Sequence, residues 1–179
     1  QTAQRFFAQR GKALNITVPF KLNAFEFAQK RTARADRAGA VNTLAMLSDG
    51  TILGDNTDGI GMIHDMHNLG WELQGKRVLI LGAGGAVRGI LQPLLEENPA
   101  QVVIANRTYS KAEELAMHFH DMGDVQAKTF EQLAGERFDL VINGTSASLH
   151  GELPPLPDTL LAANACCYDM MYGAEPTIF

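Results

Sequence analysis

Lys76-Arg77-Val78-Leu79-Ile80-Leu81-Gly82-Ala83-Gly84-Gly85-Ala86-Val87-Arg88-Gly89 is an apolar run that opens into closely spaced glycines. A buried strand ending in such a turn lets backbone N–H groups approach a pyrophosphate, and the helix that follows points its positive end at the anion. The third small position of the G-x-G-x-x-G/A pattern falls on Val87, so the glycines alone are a weak signal, and a plain tight turn is the rival reading. Context strengthens the first reading. Ala86 to Glu97 is helix-compatible, and a second apolar strand, Gln101 to Ala105, follows at the spacing of a nucleotide-binding βαβ unit.

The end of that second strand bears on the cofactor. A site that prefers NAD places Asp or Glu there for the ribose 2′-hydroxyl, and a carboxylate repels a 2′-phosphate. Here the residues are Asn106, Arg107, Thr108 and, a helical turn on, Lys111. Cations and neutral donors suit a phosphate, and a guanidinium can meet it with two parallel N–H bonds or stack on adenine, so NADP is the expected cofactor. Solvated surface charge is the alternative for Arg107 and Lys111. Ser110 and Glu113 form an S-x-x-E capping box, which predicts a helix starting near Ser110.

Composition sets bounds around this unit. The chain has 179 residues, 46% hydrophobic and 20% charged, with room for one domain or two small ones. A net charge of -5 argues against a nucleic-acid surface, which needs clustered cations. No apolar stretch approaches the ~20 residues of a membrane span and no signal peptide is visible, so no membrane partner and a cytoplasmic setting are expected. Cys166 and Cys167 are adjacent in a predicted strand, where neighbours face opposite ways; a disulfide between them is not expected, and both are read as buried packing residues. His64 and His67, three apart, and His118 and His120, two apart, lack the Glu or Cys that would complete a zinc set, so no metal is expected. Oligomeric state is left open, a homodimer included.

Both ends read as cut. Gln1 to Gln9 resembles the tail of an amphipathic helix with Gly11 suited to its C-terminal cap, and Phe179 follows the last predicted strand without the elements that usually close a doubly wound sheet. In between, residues 12 to 20 are predicted as a strand, Leu22 to Ala38 as helix-compatible, and Val41 to Leu47 and Thr51 to Gly54 as strands joined at Asp49-Gly50. A helix from Asp58 to Leu69 ends at Gly70. Strands near 77–81, 102–105, 125–128, 138–142 and 166–170 then alternate with helical segments. The α/β reading is therefore a partial N-terminal substrate lobe, residues 1–57, followed by a doubly wound parallel-sheet (Rossmann) NADP-binding domain, residues 58–179.

The first lobe concentrates short polar side chains at predicted strand ends: Asn15-Ile16-Thr17-Val18-Pro19-Phe20-Lys21, with Asn15, Thr17 and Pro19 on one strand face and Lys21 where the strand stops, then Gly39-Ala40-Val41-Asn42-Thr43 and Gly54-Asp55-Asn56-Thr57-Asp58-Gly59. Such groups suit a small polyhydroxylated ligand. With the glycine turn, Asn106-Arg107-Thr108 and Tyr168-Asp169-Met170-Met171-Tyr172, they stand in the order and spacing of the shikimate dehydrogenases, and the chain resembles the NADP-dependent biosynthetic type over nearly its whole length.

The resemblance implies reversible NADPH-dependent reduction of 3-dehydroshikimate to shikimate on the route to aromatic amino acids through chorismate. It implies Lys21 as general acid for reduction and base for oxidation, with Asp58 binding substrate hydroxyls and holding Lys21. For Lys21 the competing reading is a solvated surface lysine; for Asp58 it is a helix N-cap, which can coexist with catalysis. Thr17, Asn42 and Tyr172 are implied as substrate contacts, and Gly82, Ala83, Gly84, Gly85, Ala86, Asn106, Arg107, Thr108, Lys111 and Met170 as cofactor contacts. Thr145 and Ser146, at the sheet's C-terminal edge, join them, with simple turn chemistry as the alternative. The family's N-terminal substrate-binding serines and C-terminal glutamine have no counterpart in these residues, which puts catalysis by this chain alone in question. Lys111 stands where relatives often have Arg, keeping charge but losing the planar fork. Two other functions are weighed: a quinate/shikimate dehydrogenase using NAD, against which Asn106-Arg107 argues, and a non-catalytic NADP-binding sensor, against which Lys21 with Asp58 argues.

Overall fold

A computed structural model describes residues 2–145, 147, 151–172 and 174–179 of the chain. The apolar run that opened the sequence reading becomes β5 (Arg77–Leu81), the central strand of a five-stranded parallel sheet. Its neighbours are β6 (Gln101–Ala105) and β7 (Val125–Lys128) on one side and β8 (Phe138–Asn143) and β9 (Leu161–Asp169) on the other, in the order β7-β6-β5-β8-β9. Side chains alternate across a strand, so a strand apolar at every position is buried on both faces. Val78, Ile80, Val102, Ile104, Leu140 and Ile142 meet the helices on one face. Leu79, Leu81, Val103, Phe138 and Val141 meet Leu133 and Leu160 on the other.

Three helices cover the first face: α4 (Asp58–Asn68), α5 (Gly85–Glu96) and α6 (Tyr109–Phe119). The chain leaves β5 toward β6, then crosses back past it to β8. This reversal opens a crevice beyond the carboxyl ends of β5 and β8, where ligands bind in open α/β sheets.

The first sheet is smaller and mixed. It joins β1 (Ala13–Asn15), β2 (Lys30–Arg31), β3 (Thr43–Met46) and β4 (Ile52–Asp55) in the order β1-β3-β4-β2. Its core collects Phe7 of α1 (Thr2–Ala8), Ala24 of α2 (Lys21–Phe27) and Ala35 of α3 (Ala33–Ala38) around Val41, Leu44 and Ile52. α3 lies against α5, and Arg37 of α3 pairs with Asp121 and sets its guanidinium 5.0 Å from the Phe119 ring centroid. Among the described residues no helix is long and apolar enough to cross a membrane.

Several local expectations are corrected. The strand predicted over 12–20 stops at Asn15, because Pro19 has no N–H to give a ladder and Thr17–Phe20 closes a turn, Phe20 N–H donating to the Thr17 carbonyl at 2.9 Å. The helix predicted over 22–38 is interrupted by β2: Gln29 and Thr32 donate their N–H groups to the Ile52 and Gly54 carbonyls, and Thr32 then caps α3 through its hydroxyl. The Ser110–Glu113 capping box does not form. α6 begins at Tyr109 after Thr108, with Ser110 already inside it. At the end of α1 the left-handed residue is Arg10, at φ 65, and Gly11 follows it. β9 begins at Leu161, earlier than predicted, because a register irregularity between Phe138 and Leu140 admits extra residues. Cys166 packs against the core, whereas Cys167 is exposed and not the buried residue expected.

Asp55 ties this sheet to α3. Arg34 reaches both its carboxylate oxygens and Thr32 donates to one of them, which holds the carboxyl below the usual carboxylate range, the Arg34 hydrogen bonds being the main cause. A depressed folded-state value means the unfolded chain binds the proton more tightly. The stabilisation is therefore complete above the unfolded value, about 3.9, and is lost as pH falls through the folded one. Asp55→Ala should lower stability by about 1.5–3 kcal/mol at pH 7, and the gap from the parent should begin to narrow below about pH 4 and shrink further as pH falls through the folded-state value. Denaturant melts across pH check this; a gap unchanged at low pH would refute the assignment.

Candidate active site

Lys21 is the first residue of α2, carried there by the turn that ends the 16–20 segment, and Asp58 is the first residue of α4. Thr57 occupies the N-cap position, so Asp58 sits inside the first turn, where the helix dipole favours a carboxylate. Lys21 Nζ lies 2.6 Å from Asp58 Oδ2, with the two side chains 12% and 20% exposed. A solvated surface lysine does not match this placement. An ammonium has three N–H donors, and one is spent on Asp58, so two remain for another acceptor.

Asn42, 6% exposed, fixes the other carboxylate oxygen, its Nδ2 donating to Asp58 Oδ1 at 2.7 Å and to Thr57 Oγ1 at 3.1 Å. Its Oδ1 accepts from the Thr57 N–H and the Thr43 hydroxyl. Val41 N–H donates to the Lys21 carbonyl, so the 40–42 segment holds both members of the pair. Thr43 and Thr57 were not singled out from sequence. Their only mark was membership in the G-A-V-N-T and G-D-N-T-D-G strings.

The pair faces the glycine turn. A Cβ built on Gly85, the first residue of α5, would lie 3.5 Å from Lys21 Cβ and 4.0 Å from Ala40 Cβ. Gly82, at φ 104, turns the chain out of β5, and its N–H donates to the Ala105 carbonyl at the end of β6. Gly84 is the N-cap of α5, gives it no side-chain cap, and has open space where a Cβ would be. The first N–H groups of a twelve-residue helix are thus offered to an anion in the crevice, with Ala83 and Ala86 flanking. Beyond Ala105, Asn106 bonds the Thr108 carbonyl, and Arg107, Thr108 and Lys111 are exposed. Neither Arg107 nor Lys111 joins an ion pair among the described residues.

Thr145 lies beside Gly82 at the end of β8, its hydroxyl donating to Asn143 Oδ1 at 2.7 Å. Met170 Sδ stands 3.4 Å from a Cβ built on Gly144, so Met170 borders the same edge. Fully buried Asn143, not noticed in the sequence, organises both, donating to Asp169 and accepting from Thr145. Two expected contacts are not drawn in: Thr17 is exposed in the turn before Lys21, and Tyr172 is 92% exposed. Ser146 lies outside the described residues. Among the described residues no group of three or more His, Cys, Asp or Glu side chains is placed to hold a metal ion.

Comparison with known proteins points one way. Residues 65–150 match the family described as shikimate / quinate 5-dehydrogenase, and residues 1–44 match the shikimate dehydrogenase substrate binding domain. The chain is 74% identical to the shikimate dehydrogenase (NADP(+)) of Cellvibrio japonicus over all of its 179 residues, which span 65% of that protein. Among solved structures it is similar to an Ael1 enzyme from Pseudomonas putida, with TM-score 0.86 and 47% identity over 96% of this chain and 63% of the other. It is also similar to shikimate 5-dehydrogenase from Thermus thermophilus in complex with NADP(H) and shikimate, with TM-score 0.75 and 30% identity over 88% and 57%. The chain thus spans just under two thirds of the length of the curated relative.

Proposed function

We propose that this chain, which belongs to the shikimate dehydrogenase family, forms the catalytic and NADP-binding parts of an enzyme that reversibly reduces 3-dehydroshikimate to shikimate with NADPH, in aromatic amino acid biosynthesis. The observation that carries the reading is the Lys21–Asp58 pair facing the glycine turn. Residues 1–57 act as the substrate lobe and 58–179 as the cofactor domain, in a cytoplasmic setting.

The cradle suits NADPH on three counts: Gly82 to Ala86 admit the pyrophosphate, uncapped α5 points its N–H groups at it, and Arg107 and Lys111 stand free to meet a 2′-phosphate. Asn106, Thr108, Thr145, Ser146 and Met170 complete the proposed cofactor contacts. Bound there, NADPH supplies a hydride. Lys21 supplies the matching proton: as the substrate carbonyl gains electron density, Nζ donates to its oxygen, giving the alcohol, and lysine is reprotonated through its exposed fraction. In oxidation the same nitrogen takes the hydroxyl proton. Asp58, braced by Asn42, holds Nζ and accepts from a substrate hydroxyl; Thr17, Asn42 and Tyr172 are proposed as further substrate contacts.

A spectrophotometric assay of the protein at the relatives' full length, with 3-dehydroshikimate and NADPH and then NADH, tests this. Turnover with strong NADPH preference is expected. Comparable rates with NADH would remove the 2′-phosphate reading, and no turnover with either would remove the activity. Arg107→Ala should raise KM for NADPH about tenfold, the worth of one charge-assisted hydrogen bond in an exposed setting, and leave KM for NADH unchanged. Equal effects on both would place Arg107 away from the phosphate.

A further inference from the structure

We infer that Asn56 is a positioning residue, setting the distance of the Lys21–Asp58 pair from the glycine turn; this rests on the activity proposed above. Asn56 is 3% exposed and lies in the short link between β4 and α4. Its Nδ2 donates to the Ala40 carbonyl at 3.0 Å, and its Oδ1 accepts from the Asp58 N–H at 3.2 Å. Its own N–H donates to Asp55 Oδ1. One amide therefore bolts the segment carrying Asn42 to the first residue of α4, which carries the carboxylate.

The same amide seats this joint on α5. A Cβ built on Gly89 would lie 2.7 Å from both Asn56 Nδ2 and Oδ1, so only glycine lets the amide lie on the helix backbone. Gly85 and Gly89 are four apart and share one face of α5. Gly85 receives Lys21 and Ala40, and Gly89 receives Asn56. The reacting pair is thereby referenced to the helix whose N-terminus forms the cofactor cradle, rather than to its own small sheet alone.

The position demands a donor and an acceptor together. Asp keeps the acceptor but sets an oxygen against the Ala40 carbonyl, and Ala removes both bonds and the contact with Gly89. Neither change touches substrate, cofactor or Lys21.

The test uses the protein at the relatives' full length, where parental turnover of shikimate with NADP first checks the underlying activity. Without parental turnover, that activity reading is what fails. Given it, Asn56→Ala and Asn56→Asp should lower kcat about 100-fold, the cost of misplacing reacting groups by about 1 Å. The affinity for NADPH, read by fluorescence titration, should stay within about threefold of the parent, because Asn56 holds the substrate-side pair and none of the cofactor contacts. A purely structural role would instead lower the folded, NADPH-binding fraction and leave kcat per binding site unchanged. That result, or kcat within threefold of the parent, overturns the inference. Should the Asn56 variants not fold, Gly89→Ala, which pushes the same amide aside, carries the test on the same two readouts, with unchanged kcat per site again the overturning result.

Discussion

Lys21→Ala is expected to lower kcat for 3-dehydroshikimate reduction by about 10²–10⁴-fold, the usual contribution of a positioned proton donor, with NADPH affinity retained. The selectivity of the effect follows from geometry. Alanine keeps the Cβ that lies beside Gly85, so the wall of the cofactor cradle is unchanged. Among the described residues it removes the only nitrogen that both bonds Asp58 and has donors left over. Asp58 keeps Asn42 on its other oxygen and its place in the first turn of α4, so the carboxylate stays put. Single-turnover reduction followed at the NADPH absorbance, beside an NADPH binding titration, separates the possibilities. Lost turnover with intact binding supports proton transfer by Lys21. Unchanged turnover removes Lys21 from the mechanism and revives the non-catalytic sensor.

What could be read from the sequence and what could not divide along physical lines. Strands apolar at every position, such as Val78 to Leu81, can only be buried on both faces, so the parallel sheet and its helices were legible, and the structural neighbours have the same fold. The glycine turn was legible because its chemistry is local. The break between α2 and α3 was not, because no Gly or Pro marks it: Lys30 and Arg31 leave the helical state only because the edge of β4, distant in sequence, offers them partners. Ser110 failed in the opposite direction. A local capping pattern was present, but the short loop after β6 started the helix one residue earlier. Lys21 and Asp58 were named through family likeness alone, since residues 37 positions apart carry no mark of meeting. Asn56 was passed over because a buried amide reads in sequence as one more turn residue beside Thr57 and Asp58.

Gly59→Ala is expected to lower kcat about 100-fold while costing about 1–3 kcal/mol of stability, although one methyl group is the whole change. Gly59 follows Asp58 in α4 at its crossing with α5. Pro93 brings no N–H to Gly89, so that carbonyl is left without its usual helical partner and faces α4. A Cβ at 59 would stand 2.6 Å from Gly89 O, 2.7 Å from Pro93 Cγ and 3.0 Å from Ile90 Cα. Comfortable contacts are about 3.5–4.0 Å, so the helices must part by about 1 Å. Backbone cannot rotate away as a flexible side chain would, and Asp58 moves with its helix relative to both Lys21 and the glycine turn. Gly61 provides the control from the same helix. Its Cβ would meet nothing within 4 Å, so Gly61→Ala should leave kcat unchanged and raise stability by about 0.5–1 kcal/mol through helix propensity alone. Steady-state kinetics and urea melts on the two variants decide the matter: if Gly59→Ala matches Gly61→Ala in kcat, the spacing of α4 and α5 does not govern the reacting pair.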